Sequence, residues 1–247
     1  SETACQVGSV QIRNIATLAG NLCQSVKCPY YNLSHISLFM RRSLADCCKR
    51  GGKVCLALKA DSLYHSILGK AVEGCIAPTP SDMAVPLMAA DAEVSALSVK
   101  GERRIRLDEF YVGAGKTNLA PDEIITDIRV PGNGRRVGFV YKKYATSPRD
   151  VAVSNVAVKI ELDQSSSTCA DASVVLGGVA PAPTRAATAE QYLKGQGPSP
   201  EVLDECSRKA LEGARTIGPK SFFKLRKTTV MLREALGEAF RAAEEAS

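Results

Sequence analysis

The sequence predicts an α+β fold in two units, 1–132 and 133–247, with a cysteine-rich insert in the first unit. Three strand-like runs followed by three helix-like segments predict an antiparallel sheet covered by helices in the second unit. Six of the nine cysteines lie between Cys23 and Cys75, which predicts an insert on a more regular scaffold. A chain of 247 residues is long enough to bury the cores of two modest domains.

Within the first unit, residues 1–25 are interpreted as a short segment, a turn and a loop. Apolar residues at spacings of three and four predict a helix over 35–50, which Gly51 and Gly52 would end. Residues 54–74 show no clear period. We therefore predict an irregular insert over about 23–76, and a loop of that length normally needs a function or a staple of its own.

The pattern becomes regular after the insert. Alternating residues over 92–99 and 104–107 predict a β-hairpin, and 123–130 predicts a further strand that ends at Pro131-Gly132. In the second unit, the predicted strands cover 138–144, 151–162 and 170–176, and the predicted helices cover 186–193, 201–214 and 222–246.

The composition is that of an ordinary globular protein: 45% of the residues are hydrophobic, 23% are charged, and the net charge is +6. Because acidic residues lie among the lysines and arginines, the sequence predicts no nucleic-acid partner. No apolar run approaches the ~20 residues that span a bilayer, and the first residues lack the pattern of a signal peptide. These observations predict a cytoplasmic location without membrane attachment, where clustered cysteines indicate metal or redox chemistry rather than disulfides.

Four cysteines of the insert are candidate metal ligands: Cys28, Cys47, Cys55 and Cys75. Their spacing matches neither the CxxC pairs of most zinc sites nor the compact run of ferredoxins, so a cubane cluster, zinc and unligated thiols all stay open. Adjacent Cys47 and Cys48 are expected to point in different directions. Cys206, in a helical pattern, is interpreted as a small buried hydrophobe. His35 and His65, without a partner motif, are interpreted as surface residues.

The segment Thr17-Leu18-Ala19-Gly20-Asn21 is a candidate phosphate-binding loop. Small residues let backbone amides approach a pyrophosphate, and the Thr17 and Asn21 side chains can add hydrogen bonds. A plain turn is the alternative interpretation. The sequence shows no nucleophile–base triad, so we expect no catalytic residue in this chain.

Several motifs, taken in order, resemble those of the FAD subunits of the molybdenum hydroxylase (xanthine dehydrogenase) family. They are Gln11-Ile12-Arg13-Asn14, Thr17-Leu18-Ala19-Gly20-Asn21, Ser81-Asp82, Gly115-Lys116-Thr117, Pro121-Asp122-Glu123-Ile124-Ile125 and the run from Leu176 to Arg185. The resemblance implies an incomplete FAD-binding domain of the PCMH type, followed by a C-terminal domain of antiparallel sheet plus helices.

The same resemblance implies the FAD contacts. Thr17, Leu18, Ala19, Gly20 and Asn21 would meet the pyrophosphate, although Ala19 replaces a family glycine. Asp82 would hydrogen-bond the flavin nucleotide. Ile125 would lie near the isoalloxazine, with Lys142, or its neighbour Lys143, close to it.

The insert resembles that of the flavin subunits of 4-hydroxybenzoyl-CoA reductases. The resemblance rests on Cys28-Pro29-Tyr30-Tyr31-Asn32 and on the run from Cys47 to Cys55. In those relatives the insert carries a 4Fe–4S cluster. The resemblance therefore implies such a cluster on Cys28, Cys47, Cys55 and Cys75, with Cys47 favoured over Cys48.

The resemblance also implies a function and partners. We expect an electron-transfer subunit of a molybdenum-dependent oxidoreductase, which passes electrons between FAD, the 4Fe–4S cluster and 2Fe–2S centres. A molybdenum-cofactor subunit and a 2Fe–2S subunit would be the partners. Flavin subunits of the family begin with a further segment that carries an "AGGT"-like loop, and we expect a separate chain to supply it. A scaffold with a structural metal and no flavin is the alternative.

Overall fold

The computed structural model describes residues 2–32, 47–69, 74–132, 134 and 136–246. The helices and strands of the first unit are α1 (Glu2–Cys5), α2 (Val10–Ile15), α3 (Leu18–Leu22), α4 (Ala84–Ala89), β1 (Glu93–Ser98), β2 (Gly101–Arg106), α5 (Leu107–Phe110), β3 (Tyr111–Gly113), β4 (Lys116–Thr117) and β5 (Ile124–Arg129). Those of the second unit are β6 (Val137–Tyr144), β7 (Ser154–Leu162), β8 (Cys169–Gly177), β9 (Thr184–Arg185), α6 (Ala187–Leu193), α7 (Pro200–Ala210) and α8 (Pro219–Glu245).

Three antiparallel sheets organise these strands. The first unit has a three-stranded sheet in the order β2-β1-β5 and a small β3-β4 pair. The second unit has a four-stranded meander in the order β6-β7-β8-β9. The predicted hairpin, the predicted meander and the three predicted C-terminal helices are confirmed, and so is the α+β fold class.

The four-stranded sheet is buried on both faces. Side chains at even positions, such as Val158 and Val174, pack with helices α6, α7 and α8 in one core. Side chains at odd positions, such as Ala157 and Val175, pack with α4 and the three-stranded sheet in a second core. Successive residues of a strand point to opposite faces, so this sheet joins the two units through one shared layer.

The insert is only partly covered by the described residues. Most of the helix predicted over 35–50 lies outside them, because residues 33–46 are not described. Its described end, Cys48–Arg50, is a 3-10 turn rather than an α-helix, and Gly51 ends it with a left-handed φ of 91°. Short helices α1, α2 and α3 occupy the region that was interpreted as a segment, a turn and a loop. Among the described residues, no helix is both long and apolar enough to cross a membrane.

The contact between β6 and α8 gives a stability prediction. A Cβ added to Gly138 would lie 2.7 Å from the Ala243 backbone N and would overlap the Ala239 carbonyl oxygen. Both neighbours belong to helix backbone, so Gly138→Ala must push the helix away from the sheet. We expect the free energy of unfolding to fall by about 3 kcal/mol, measured by urea denaturation.

Gly237→Ala is the matched control on the same helix. Its added Cβ would meet only Leu203 Cδ1, at 3.4 Å, which is ordinary contact. Alanine is favoured over glycine inside a helix by about 1 kcal/mol, so this variant is expected to be neutral or more stable. Equal urea midpoints for the two variants would contradict the close-approach argument.

Candidate functional site

Helix α3 forms one edge of the first candidate site. Thr17 is its N-cap, and Thr17 Oγ1 accepts a hydrogen bond of 2.9 Å from the Gly20 backbone N–H. Asn21 at the other end is buried, and its Oδ1 accepts from Ser81 Oγ at 2.8 Å and from Met83 N at 3.2 Å. Thr17 therefore stabilises the start of the helix, whereas Asn21 fixes the helix to the segment that carries Asp82.

Asp82 lies in a buried ion pair. Lys143 Nζ is 2.7 Å from Asp82 Oδ2, and the two side chains are only 5% and 6% exposed. Burial raises the pKa of Asp82, against the lowering by Lys143 and by the backbone N–H of Ala152. Lys143 Nζ also donates to the Gln6 carbonyl at 2.9 Å, so the pair ties strand β6 to the N-terminal segment.

Lys142, the lysine chosen from the sequence, does not reach Asp82. It lies on the opposite face of β6, where its Nζ is 2.7 Å from Glu238 Oε1 of helix α8. Adjacent residues of a strand point to opposite faces, so only Lys143 can face the first unit. Ile125 lies on β5 and packs, half-buried, against the core that includes Leu22 at the end of α3.

A cleft beside α1, α2 and α3 is the space nearest to the candidate phosphate loop. It measures about 220 Å³, and Thr17, Leu18, Asn21 and Met83 are among its lining residues. Pockets for drug-sized ligands measure roughly 300–1,000 Å³, so this cleft fits one end of a dinucleotide and not the whole of it. Glycine at position 20 leaves room for the Thr17 side chain. A Cβ added to Gly20 would lie only 3.1 Å from Thr17 Oγ1, which is a tight contact.

A second, narrow cavity of about 20 Å³ lies at Asp82. Lys27, Tyr64 and Asn155 also line it. Such a volume holds about one water molecule. The Asp82 carboxylate at this small cavity is thus held by protein groups, chiefly by Lys143.

The insert cysteines form the second candidate site. Cys28 and Cys47 are buried, at 5% and 4% exposure, while Cys55 and Cys75 are half-buried. Burial raises the pKa of the Cys28 thiol, the backbone N–H groups of Tyr30 and Tyr31 lower it, and the nearby Cys47 and Cys55 raise it.

The pKa values of two half-buried cysteines, Cys75 and Cys48, depend on burial and on neighbouring thiols in the same way. Burial raises the pKa of Cys75, and the nearby Cys55 and Cys28 raise it further. Burial also raises the pKa of Cys48, as do Cys55, Cys75 and Cys47. The thiols are thus close enough to interact, and proximity alone does not choose between Cys47 and Cys48.

One backbone N–H group contacts a sulfur of this set: the Ala77 N–H donates to Cys75 Sγ at 3.4 Å. Such donors favour the thiolate form, which is the form that ligates metals. Among the described residues, no group of three or more His, Cys, Asp or Glu side chains is arranged to hold a metal ion.

His65 belongs to this second site, so its assignment to the surface was wrong. It is 5% exposed, and its Nε2 lies 3.4 Å from Cys28 Sγ. The ring stacks on Tyr30 with 6.3 Å between centroids. Burial lowers the pKa of His65 to about 4, and the charge of Lys224 lowers it further in the same direction. His35, the other histidine, lies outside the described residues.

The insert is fixed to the start of α8. Asp61 accepts from the Lys220 and Ser221 backbone N–H groups at 3.0 and 2.9 Å, which caps the helix. Lys224 is fully buried, and its Nζ donates to the carbonyls of Leu63 at 2.9 Å and His65 at 2.8 Å, and to that of Gly178. No motif marks Lys224, but it lies on the buried stripe of α8 with Ser221 and Thr228. That periodicity is the signal that could have identified it.

The two matched domains define a class of protein, a flavoprotein subunit of a molybdenum-containing dehydrogenase. Residues 1–133 match the family described as "FAD binding domain in molybdopterin dehydrogenase". Residues 139–239 match the "CO dehydrogenase flavoprotein C-terminal domain". The chain belongs to the family of FAD-binding subunits of the molybdenum hydroxylases.

The names of individual similar proteins are consistent with this family. The chain is 36% identical over 195 residues to the aldehyde oxidoreductase FAD-binding subunit PaoB of Escherichia coli K12, covering 75% of this chain and 55% of the relative. It is 36% identical over 121 residues to the nicotine 6-hydroxylase medium subunit of Paenarthrobacter nicotinovorans, covering 49% and 41%. The chain thus spans about half the length of the curated relatives it matches.

Solved structures show the same fold. A chain of reconstituted CO dehydrogenase from Oligotropha carboxidovorans matches with a TM-score of 0.69 at 21% identity, over 98% of this chain and 66% of that one. Quinoline 2-oxidoreductase from Pseudomonas putida 86 matches with a TM-score of 0.65 at 17% identity, over 99% and 66%.

The buried ion pair gives a prediction about stability. Lys143→Met leaves the Asp82 carboxyl buried without its counter-ion, so we expect the free energy of unfolding to fall by about 3–5 kcal/mol. Lys142→Met is the matched control, because it removes a partly exposed pair and is expected to cost less than about 1 kcal/mol. Urea unfolding of both variants measures the difference, and similar losses would contradict the asymmetry between the two faces of β6.

His65 gives a prediction about pH. In the folded protein its pKa is about 4, whereas an unfolded histidine titrates near 6.5. As the pH falls from 7 to 5, the unfolded chain binds a proton that the folded ring does not, so stability is lost. We expect the unfolding free energy of the wild type to drop by about 2 kcal/mol more than that of His65→Gln over this range. Parallel losses in urea unfolding at the two pH values would refute a buried neutral imidazole.

Proposed function

We propose that the chain is an electron-transfer subunit that carries FAD and a 4Fe–4S cluster within a molybdenum-dependent oxidoreductase. The observation that carries the proposal is that the insert thiols adjoin the small cavity at Asp82. Lys27 lines the cavity at Asp82, and the next residue, Cys28, is buried among the insert thiols. Tyr64 lines the same cavity, and the next residue, His65, contacts Cys28.

The FAD side rests on the family and on the geometry at α3. When bound, FAD supplies one- and two-electron chemistry. The backbone of Thr17, Leu18, Ala19 and Gly20 would face the pyrophosphate, while Asn21 holds this segment in place. Asp82 and Ile125 would line the flavin side. In this set Lys143 replaces Lys142, because it is the lysine that faces Asp82.

Another polypeptide segment is proposed to complete the FAD site. The cleft of about 220 Å³ beside α3 accommodates only part of a dinucleotide. We propose that a separate chain contributes the rest, including the "AGGT"-like loop. The division into domains at 1–132 and 133–247 is part of the same proposal.

On the cluster side, the proposed ligands are Cys28, Cys47, Cys55 and Cys75. The thiols raise one another's pKa values, and the Ala77 N–H donates to Cys75 Sγ; both observations support these ligands. Cys47 is preferred to Cys48 because it is buried, as Cys28 is, whereas Cys48 is half-buried. This arrangement is the basis for the proposed likeness to the flavin subunit of 4-hydroxybenzoyl-CoA reductases.

The proposed partners are a molybdenum-cofactor subunit and a 2Fe–2S subunit, within the cytoplasm. Substrate chemistry would take place on the molybdenum subunit, so no residue of this chain is proposed as an acid, a base or a nucleophile. The proposed role of the chain is to bind cofactors and dock the partners.

One observation favours a second function, a scaffold with a structural zinc and no flavin. Cys28 Sγ and His65 Nε2 lie 3.4 Å apart. Two ligands of one tetrahedral zinc lie roughly this far apart, given zinc bond lengths of about 2.3 Å to sulfur and 2.0 Å to nitrogen.

The FAD, iron and zinc contents of the anaerobically purified complex test these two functions. The proposal expects one FAD and about four irons per chain beyond those of the partner's clusters. Zinc without flavin would refute it and support the scaffold.

A pair of cysteine variants tests the choice of ligands. Cys47→Ser is expected to abolish the 4Fe–4S EPR signal and the corresponding iron, whereas Cys48→Ser, its neighbour and matched control, is expected to retain both. Equal loss in the two variants would refute the assignment of Cys47.

A further inference from the structure

The first half of helix α8 has an apolar face toward solvent as well as one toward the core. Lys224 and Thr228 lie on its buried stripe, whereas Phe222 and Val230 on the outer side are 52% and 50% exposed. The outward face of a surface helix is ordinarily polar. We call the outward set the aromatic–basic surface; its members are Ile217, Phe222, Phe223, Arg226, Lys227 and Val230.

Helical spacing brings part of this surface into one row. Phe222, Arg226 and Val230 are four residues apart, and residues at that spacing are neighbours on a helix. The Arg226 guanidinium carbon lies 5.9 Å from the centre of the Phe222 ring. Ile217 and Phe222 occupy the positions that often pack as a hydrophobic staple around a helix start. Both nevertheless stay more than half exposed, so a staple does not account for them.

A second row beside it is held by ring contacts. The Tyr144 and Phe223 rings meet edge to face, with 5.9 Å between their centres. Lys227 Nζ lies 5.4 Å from the centre of the Tyr144 ring. These contacts hold exposed side chains in one arrangement, which lowers the entropy that a docking partner would cost them.

The charges of Arg226 and Lys227 are not balanced by a neighbouring carboxylate. Residues 213–233 include six lysines or arginines and no aspartate or glutamate. The ion pairs of α8 involve Arg233, Glu234 and Glu238, all in its second half. Within the described part of the chain, Arg226 and Lys227 contact aromatic rings and take part in no ion pair. A complementary surface would therefore bring its own carboxylates.

We propose that the aromatic–basic surface docks a protein subunit of the same complex, whose contact surface places carboxylates around an apolar pocket. The inference rests on the proposed function, which makes this chain one subunit of an oxidoreductase. Aromatic side chains and arginine are enriched in protein interfaces and among the residues that dominate their binding energy. Phe222 is the anchor that enters the pocket, and Arg226 beside it pairs with a carboxylate at the rim.

An acidic residue on the same helix favours a protein partner over a nucleic acid or an anionic membrane. Glu234 follows Val230 by four residues, so it is the next side chain along the row, and it is 57% exposed. An extended polyanion laid along α8 would meet this carboxylate. Nucleic acids are bound through many phosphate contacts, whereas here two cations flank aromatic rings. The surface fits a partner whose negative charge is confined to a patch.

Photo-crosslinking within the native complex tests the occupant. Phe222 is replaced by the crosslinking analogue p-benzoylphenylalanine, and the product is expected to join this chain to a segment of a partner subunit that contains aspartate or glutamate. The matched control carries the analogue at Val99, which is 97% exposed at the turn between β1 and β2 and is expected not to reach that segment. No cross-link at Phe222, or one only to a second copy of this chain, a nucleic acid or a lipid, would overturn the proposal.

Affinities for the purified partner subunits give an independent measurement on the full chain. Phe222→Ser and Arg226→Glu are each expected to raise the dissociation constant at least tenfold, and the effect of Arg226→Glu is expected to shrink as salt is added. Val99→Ser and Arg241→Glu are the matched controls, expected to change it less than about twofold; Arg241 lies on the same helix, about 22 Å further along. Equal losses in variants and controls would refute the surface.

The outcomes separate this inference from the proposed function. A complex that contains FAD and the cluster but binds its partners normally in Phe222→Ser and Arg226→Glu would refute the docking surface alone. A complex that assembles through this surface but holds neither FAD nor iron would refute the proposed electron-transfer function and leave the docking surface supported.

Discussion

The four-stranded sheet β6–β9 lies between two cores, and its strands alternate their side chains between them. Even positions of β6 face helix α8 and odd positions face the first unit, so a shift of one residue would exchange the two sets. The alternation explains why Gly138 must be small against Ala239, and why Lys143 pairs with Asp82 while Lys142 pairs with Glu238. Burial on both faces thus fixes the register of β6, and that register decides which of its side chains face Asp82.

The insert depends on this sheet through a second interaction, the buried ammonium of Lys224. Burial lowers the pKa of Lys224 to about 7, while three carbonyl acceptors favour the charged form that can donate to all of them. Removing an ammonium from water costs several kcal/mol, and this cost is offset only where the hydrogen bonds are well made. The geometry therefore constrains the loop around His65 tightly, and the cap from Asp61 acts on the same turn of α8.

Much of this architecture could be predicted from the sequence, because strands and helices leave a period. The alternation over 154–162 and the three C-terminal helical patterns placed the second unit within a few residues of its observed bounds. The short helices α1 to α3 were missed, since four to six residues give no usable period. The choice between Lys142 and Lys143 needed the register of β6, which sequence alone leaves open.

His65 and Lys224 were missed for a different reason. A lone histidine in an irregular segment and a lysine in a helix are both usually exposed, so residue type argues against burial. Only the position of Lys224 on the stripe of Ser221 and Thr228 indicates the buried face. The environment of His65 is created by residues distant in sequence, Cys28 and Lys224, and no local pattern records it.

The small cavity at Asp82 adjoins the insert thiols. Lys27 and Tyr64 face the cavity at Asp82, whereas their neighbours Cys28 and His65 face the insert thiols. Gly178, which also lines that cavity, accepts a hydrogen bond from Lys224. The ammonium of Lys224 thus fixes the insert segment at His65 and the cavity residue Gly178 to the same turn of α8.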